Sequence, residues 1–185
     1  MLNKLIMLDP GHSGIPDPGT VGQAGTKESN VAWKIACAVR DVLMFRWGAR
    51  VVLTKLSVND ENSDKLFTRY GKANNIDADL FVSIHLNGAE SKGANGTETY
   101  HCPGSFAGVK LANRIQRQLI ACLGLRDRGV KTARYSVLTH TKMPAALTEI
   151  CFLTNPEEEQ FINQPENIQK AAEAIAQGIV DYFYT

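Results

Sequence analysis

The sequence lacks the features that mark several specialised classes of protein. Among 185 residues, Lys and Arg together number 20 and Asp and Glu 19, and a formal net charge of +1 gives no electrostatic reason to expect nucleic acid as a partner. No apolar run is long enough to predict a membrane-spanning helix. No internal repeat, low-complexity tract or linker divides the chain, so we predict one domain over residues 1–185.

Cysteine is sparse and poorly spaced for a metal cluster. None of the four cysteines belongs to a C-x-x-C pair, which argues against a thiolate zinc site. A chain of this length can build a core without disulfides, so we interpret the cysteines mainly as reduced, buried side chains. The N-terminal stretch MLNKLIMLDPGH has a short apolar run and no small-residue cleavage site, so it does not predict a signal peptide.

Strand and helix patterns alternate along the whole chain. The predicted strands cover residues 4–8, 50–54, 79–85, 96–102, 136–140 and 145–152. The predicted helices cover residues 28–46, 65–75, 105–125, 155–162 and 165–184. This alternation predicts an α/β fold of three layers, in which helices flank a twisted, mostly parallel but mixed sheet of about six strands.

Two histidines lie where apolar strands end. His12 follows KLIML and the turn DPG, and His85 ends the run LFVSIH. Ligands of parallel sheets gather beyond the carboxyl ends of the strands, so we expect the two imidazoles to share a site. A single histidine in such a place more often hydrogen-bonds to a neighbour. Two of them, with a carboxylate and one open position, are typical of a catalytic zinc site.

The residue types and their positions do not decide which carboxylate is the third ligand. Glu28 begins a predicted helix, where its charge is favourable without any metal. Glu149 lies in the apolar strand AALTEICF, where a carboxylate is ion-paired, metal-bound or catalytic. The full set of candidate carboxylates is Asp9, Asp17, Glu28, Glu98 and Glu149.

Six short motifs carry a family resemblance over nearly the whole chain. They are LDPGHSG, KESN, LFVSIHLN, GTETY, DRGVK and PAALTEICFLTN. In this order they resemble the motifs of the zinc-dependent N-acetylmuramoyl-L-alanine amidases of the Amidase_3 family. The resemblance implies that His12, Glu28 and His85 bind one Zn²⁺ and that Glu149 is the catalytic general base. It also implies hydrolysis, by a zinc-activated water, of the amide between the lactyl group of N-acetylmuramic acid and L-alanine in peptidoglycan.

Other residues are weaker candidates for the same site. Asn87 shares a face with His85 if the strand continues, and it is predicted either to contact substrate or to form a turn. His140 and His101 each lie at a predicted strand end, and His140 is a candidate for substrate contact. Cys151 would be the nucleophile of a rival Cys–His site, but nothing in the sequence indicates an activated thiol. Lys55, His140 and Cys151 depart from the family pattern without removing a ligand.

Two rival functions remain at this point. A zinc carboxypeptidase-like peptidase usually has its first His and Glu close together on one loop, whereas sixteen positions separate His12 and Glu28. A non-catalytic wall-binding module does not need the complete set of site residues. For an endolysin or autolysin we expect a monomer that binds peptidoglycan but not nucleic acid or membrane. We expect it to be made in the cytoplasm without a signal peptide and to reach the cell wall on lysis, by holin-type export or on lysis of a mother cell.

Overall fold

The structure is a computed structural model that describes residues 1–63 and 65–184. Within these ranges, six strands form one sheet. The strands are β1 (Leu5–Pro10), β2 (Arg50–Leu53), β3 (Leu80–Asn87), β4 (Thr97–His101), β5 (Asp127–Thr132) and β6 (Ala145–Phe152). The helices are α1 (Glu28–Trp47), α2 (Leu66–Asn75), α3 (Phe106–Leu123), α4 (Ser136–Thr139), α5 (Pro156–Ile162) and α6 (Pro165–Tyr184), with a 3₁₀ helix at Glu61–Ser63.

The sheet is mixed, and the direction of its strands decides where the site lies. Its order is β2-β1-β3-β6-β4-β5. All neighbouring strands run parallel except β4 and β6, which are antiparallel. The carboxyl ends of β1, β2, β3 and β6 therefore meet at one edge of the sheet, whereas those of β4 and β5 lie at the opposite edge. The predicted mixed, mostly parallel fold is confirmed.

Helices cover both faces of the sheet. On β1, Ile6 and Leu8 belong to the larger core cluster and Met7 to the smaller one, because successive strand side chains point to opposite faces. The larger cluster includes α1, α3 and α6, and α6 contacts both other helices. The smaller cluster includes residues of α2 and α4. No helix in the described ranges combines the length and apolarity needed to cross a bilayer.

The predicted helix boundaries follow from local chemistry. α1 ends at Trp47, and the next residue, Gly48, adopts the left-handed conformation common after a helix, with φ of 66°. The Asn155 side chain accepts hydrogen bonds from the backbone N–H of Glu157 and Glu158 at the start of α5, and Pro156 occupies its first turn. These predictions are confirmed.

One predicted strand is wrong. Residues 136–140 were expected to be a strand, but Ser136–Thr139 form the short helix α4. The Tyr135 carbonyl accepts hydrogen bonds from the backbone N–H of both Leu138 and Thr139. Val137 and Leu138 are consecutive and pack in the same core cluster. In a strand they would point to opposite faces, whereas a helical turn buries both on one side.

The sixth strand lies elsewhere. β5 pairs only with β4 among the described strands and has no buried residue, so its sequence DRGVKT lacks the apolar alternation that identifies a strand. Gly129 has a positive φ of 81°, and the pairing of β4 with β5 is irregular between Thr97 and Thr99. The alternation of apolar and polar residues therefore could not predict this irregular edge strand.

Candidate metal centre

The carboxyl edge of the sheet opens into a cavity of about 390 Å³. His12 lies just beyond β1, His85 is on β3, and Glu149 is the β6 residue paired in register with His85. Glu28 is the first residue of α1. Sixteen residues line the cavity: Asp9, His12, Asp17, Thr20, Glu28, Leu66, Arg69, His85, Leu86, Asn87, Gly88, Tyr135, Ser136, Val137, Leu147 and Glu149.

The Glu28 carboxylate lies between two imidazoles. Its Oε1 is 2.8 Å from His85 Nδ1, and its Oε2 is 3.1 Å from His12 Nε2. Oε1 also accepts a hydrogen bond from Leu86 N, and Oε2 accepts one from Thr20 N. One ligand atom from each of His12, Glu28 and His85 lies within 4.8 Å of the other two. The three side chains therefore form one group that could hold a metal ion.

The backbone beside the two imidazoles must be glycine. A Cβ on Gly11 would lie 2.6 Å from the His85 ring, and a Cβ on Gly19 would lie 2.4 Å from His12 Cδ2. Both distances are shorter than real Cβ contacts. Gly19 also has a φ of 71°, which favours glycine. The two glycines let the chain pass close to both candidate ligands.

The loop before α1 is anchored so that Glu28 faces the cavity. Glu28 N donates a hydrogen bond to the Thr20 carbonyl. The buried Glu159 carboxylate, on α5, accepts hydrogen bonds from the backbone N–H of Ala24 and Thr26. A contact more than 130 residues away in sequence therefore orders the approach to this side chain.

His12 is held from its other side by Asp17. His12 Nδ1 is 2.7 Å from Asp17 Oδ2, and Asp17 Oδ1 accepts a hydrogen bond from Gly19 N. A carboxylate on the far nitrogen fixes the tautomer and orientation of an imidazole that binds a metal through the near one. His12 itself has a positive φ of 58°, which is uncommon for a non-glycine residue.

The charges of the group stabilise one another. Burial opposes ionisation of Glu28, but the hydrogen bonds and charges of His12 and His85 outweigh it and hold the pKa of this carboxyl well below its ordinary value. Burial likewise tends to lower the pKa of His12, but Glu28 and Asp17 outweigh it, so this pKa is raised above its ordinary value of 6.5.

Glu149 occupies a different environment. Its Oε2 is buried and has no hydrogen-bond partner among the described residues. Burial, together with the negative charges of Glu28 and Glu98, raises the pKa of Glu149 well above its ordinary value. The cavity therefore contains a carboxyl group with one oxygen that has no hydrogen-bond partner in the described part of the chain.

Glu98 on β4 is opposite Glu149 on β6 in the strand register. Unlike Glu149 Oε2, both carboxylate oxygens of Glu98 accept hydrogen bonds. Its Oε2 accepts hydrogen bonds of 2.5 Å from both Arg128 Nε and Lys131 Nζ. Its Oε1 accepts others from Tyr100 and Asn87. Burial opposes ionisation here too, but these donors outweigh it and lower the pKa of Glu98 to about 2. Glu98 is thus a buried, fully paired anion.

Of the weaker candidates for the site, Asn87 lines the cavity, whereas His140 and His101 lie elsewhere in the fold. Asn87 lines the cavity, and it also makes the predicted turn contact, because its Oδ1 accepts a hydrogen bond from Gly88 N. His140 lies outside the cavity lining at the end of α4, where it is exposed and stacks on Tyr70 with ring centroids 4.9 Å apart. His101 ends β4, whose carboxyl end lies at the opposite edge of the sheet.

Two further candidates, Cys151 and Asp9, are buried and have structural surroundings. Cys151 is buried, and burial raises the pKa of its thiol well above its ordinary value, which does not favour a nucleophilic thiolate. Asp9 lines the base of the cavity, but its carboxylate accepts hydrogen bonds from Thr54, Arg69 and Ser83.

Several lining residues were missed as site residues by sequence reasoning. Tyr135, Ser136 and Val137 come from the segment that was predicted as a strand, so their shared position beside the cavity was not foreseen. Leu66 and Arg69 lie on the helix predicted over residues 65–75, and neither these two residues nor Thr20 carried a sequence signal for the site.

The fold and the site together define a class of protein. An α/β sheet carries, at the carboxyl edge of its parallel strands, a two-histidine, one-carboxylate candidate metal centre with a further carboxylate beside it. This arrangement is typical of metal-dependent hydrolases.

The chain belongs to the Amidase_3 family, described as N-acetylmuramoyl-L-alanine amidase, whose family model matches residues 6–181. It is 40% identical to the N-acetylmuramoyl-L-alanine amidase LytC of Bacillus subtilis over 99% of this chain, and 35% identical to the endolysin of Bacillus phage SPP1 over 97% of it. The chain spans only 36% of LytC and 66% of the endolysin. The recognition of the family from its ordered motifs is confirmed.

The backbone of the chain is also similar to that of a solved amidase structure. The crystal structure of an N-acetylmuramoyl-L-alanine amidase from Clostridium difficile 630 superposes with a TM-score of 0.92 at 33% identity, covering 99% of this chain and 98% of the other. The arrangement of strands and helices is therefore that of amidases of known structure.

Proposed function

We propose that residues 1–185 form one zinc amidase domain that hydrolyses the amide between the lactyl group of N-acetylmuramic acid and L-alanine of the stem peptide. The observation that carries this proposal is the convergence, in one cavity, of His12, Glu28 and His85 with Glu149, whose Oε2 has no hydrogen-bond partner among the described residues. Membership of the amidase family supports the substrate class.

The donor set fits zinc. Two imidazole nitrogens and one carboxylate oxygen are a ligand combination of catalytic zinc sites, which leave one position open. The half-buried position of both imidazoles gives a substrate access to the group. Zinc bound there would supply an electrophile that acidifies water and polarises a carbonyl. We assign His12, Glu28 and His85 as its ligands and Asp17 as the residue that orients His12.

We assign Glu149 as the general base and then the general acid. Its Oε2 would accept the proton of the attacking water and deliver it to the nitrogen of L-alanine as the amide bond breaks. The absence of a hydrogen-bond donor on that oxygen, among the described residues, leaves it available for this transfer.

We propose that Asn87, which lines the cavity, contacts the substrate near Glu149. Its side chain is oriented by hydrogen bonds at both ends, to Glu98 and from Gly88 N. His140 stays a predicted contact for a part of the substrate that extends past α4. Bacterial peptidoglycan is the proposed partner, the cell wall is the proposed site of action, and the protein is proposed to act as a monomer.

Digestion of purified peptidoglycan tests this proposal directly. An amidase creates new free L-alanine N-termini and lowers the turbidity of a wall suspension, which mass spectrometry of the soluble products and amine labelling both detect. A chelator is expected to abolish the reaction and added Zn²⁺ to restore it. A carboxypeptidase would release C-terminal amino acids without new L-alanine N-termini, and a binding module would release nothing. Either of these results would refute the proposed reaction.

A further inference from the structure

Lys55 is a buried cation beside the candidate metal centre that the proposed reaction does not use. It follows β2, and only 1% of its surface is exposed. Its Nζ is 2.7 Å from the His12 carbonyl oxygen and 3.3 Å from that of Gly11, and it donates hydrogen bonds to both. Burial lowers the pKa of Lys55 to about 8. Desolvation of an ammonium group is costly, so its placement calls for a physical reason.

Buried cationic side chains donate hydrogen bonds to three successive backbone carbonyls of the turn that carries His12. Arg69 Nη1 donates hydrogen bonds to the Pro10 carbonyl and to the Asp9 carboxylate, both at 3.0 Å. Lys55 Nζ donates hydrogen bonds to the next two carbonyls, those of Gly11 and His12. Gly11 N donates to the carbonyl of Ile84 on β3. Two buried cations and one strand therefore fix the path of the chain through the turn.

The residue at the end of this turn has an unfavourable backbone conformation. His12 has a φ of 58°, in the left-handed region that non-glycine residues rarely adopt. The direction of a side chain depends on the backbone angles of its residue. If His12 relaxed to a right-handed or extended conformation, its Nε2 would turn away from Glu28 Oε2, from which it is now 3.1 Å distant. The left-handed conformation is thus a condition for bringing the candidate ligands together.

We propose that Lys55 is a positioning residue of the candidate metal centre, holding the backbone of His12 in its left-handed conformation through hydrogen bonds to the carbonyls of His12 and Gly11. This inference rests on the proposed metal site. The role is distinct from that of Asp17, which contacts the His12 ring and orients it about its own bonds. Lys55 acts on the main chain and Asp17 on the imidazole.

The chain offers a matched control in Lys72. Its Nζ donates to the carbonyl of Leu53 at 2.8 Å and to that of Thr54 at 3.4 Å. It is therefore another lysine that holds two successive backbone carbonyls at the end of β2, but these carbonyls do not belong to the His12 turn. A general structural role for such lysines predicts the same effect at both positions.

Zinc affinity, measured by competition with a chromophoric chelator, tests the proposal. Lys55→Met is expected to weaken zinc binding by about tenfold or more, a typical cost of losing an outer support of a ligand. Lys72→Met is expected to leave the zinc affinity within about twofold of that of the unmodified protein. Lys55→Arg keeps cationic N–H donors and is expected to retain most of the affinity. Lys55→Leu also lacks a hydrogen-bond donor, so it carries the same expectation as Lys55→Met and serves in its place if the methionine variant does not fold. An affinity of Lys55→Met equal to that of the unmodified protein would overturn the inference.

A measurement on the metal-free protein separates this inference from the proposed function. The backbone carbon chemical shifts of His12, measured by NMR, distinguish left-handed from right-handed or extended conformations. They are expected to change in Lys55→Met and to persist in Lys72→Met; unchanged shifts in Lys55→Met contradict the proposal. If the unmodified protein binds no zinc, the proposed function fails, while the NMR comparison still decides the role of Lys55.

Discussion

The surroundings of Glu28 and of Glu149 differ sharply although both carboxylates line the same cavity. Glu28 is contacted by His12, His85 and two backbone N–H groups, and these hold its pKa low. Glu149 Oε2 has no hydrogen-bond partner in the described part of the chain, and the pKa of this residue is raised. The contrast separates a carboxylate that can hold a cation from one that can move a proton.

The strongest test of this contrast removes the proton-transferring group. Glu149→Gln preserves the size of the side chain but cannot accept a proton, so kcat on peptidoglycan is expected to fall about 10²–10⁴-fold while zinc stoichiometry is unchanged. Glu157→Gln, at an exposed position on α5, is the matched control and is expected to retain full activity. Near-normal turnover by Glu149→Gln would eliminate its assigned role, and loss of zinc would move it into the ligand set.

A smaller effect is expected on the ligand side of the cavity. Asp17→Asn weakens the carboxylate contact to His12 Nδ1, so zinc affinity is expected to fall about 10–100-fold. Asp41→Asn, which alters a surface carboxylate paired with Arg40, is the control and should leave the affinity unchanged. Equilibrium competition with a chelator measures both variants. If Asp17→Asn bound zinc as tightly as the control, Asp17 would not orient His12.

The smallest expected effect concerns folding stability and compares Glu149 with Glu98. The pKa of Glu98 is about 2 in the folded protein, below its ordinary value of 4.5, so its stabilisation is present above pH 4.5 and is lost as the pH falls towards 2. The pKa of Glu149 is raised, so its contribution is present below pH 4.5 and is lost as the pH rises through its folded-state pKa.

Denaturant unfolding of the metal-free protein across this pH range measures the difference. At neutral pH, Glu98→Gln is expected to lower the free energy of unfolding by about 1–3 kcal/mol because charge-assisted hydrogen bonds are lost. Glu149→Gln is expected to leave the free energy of unfolding unchanged or to raise it, since it removes a charge without a hydrogen-bond partner on Oε2. Equal losses in the two variants would show that the two carboxylates are not in opposite environments.

The errors of sequence interpretation have definite physical causes. The strand predicted at 136–140 failed because a short apolar stretch fits a strand or a buried helical turn equally well, and only its packing beneath the cavity selects the turn. His101 was a candidate for the site because it lies at the end of a predicted strand. β4 runs antiparallel to β6, which places that strand end at the far edge.

The successful predictions rest on signals that are local in sequence. Helical and strand periodicity located α1, β3, β6 and α6, because a buried face must repeat with the period of its own element. The Asn155-Pro156 pair located the start of α5 through its capping chemistry. The family was recognised from the order of six short motifs, and the family match confirms it.

The sequence by itself therefore determined the α/β class, the family and the candidate site residues, since each depends on local periodicity or on motifs that are contiguous in the chain. Only the tertiary structure decided that Glu28 and Glu98 are hydrogen-bonded on both oxygens while Glu149 Oε2 has no partner among the described residues, and that Lys55 reaches the turn that carries His12. Those answers depend on contacts between residues from different elements of the fold, such as Lys55 with the His12 carbonyl and Arg128 with Glu98. Such contacts exist only once strand order and direction have brought distant segments together.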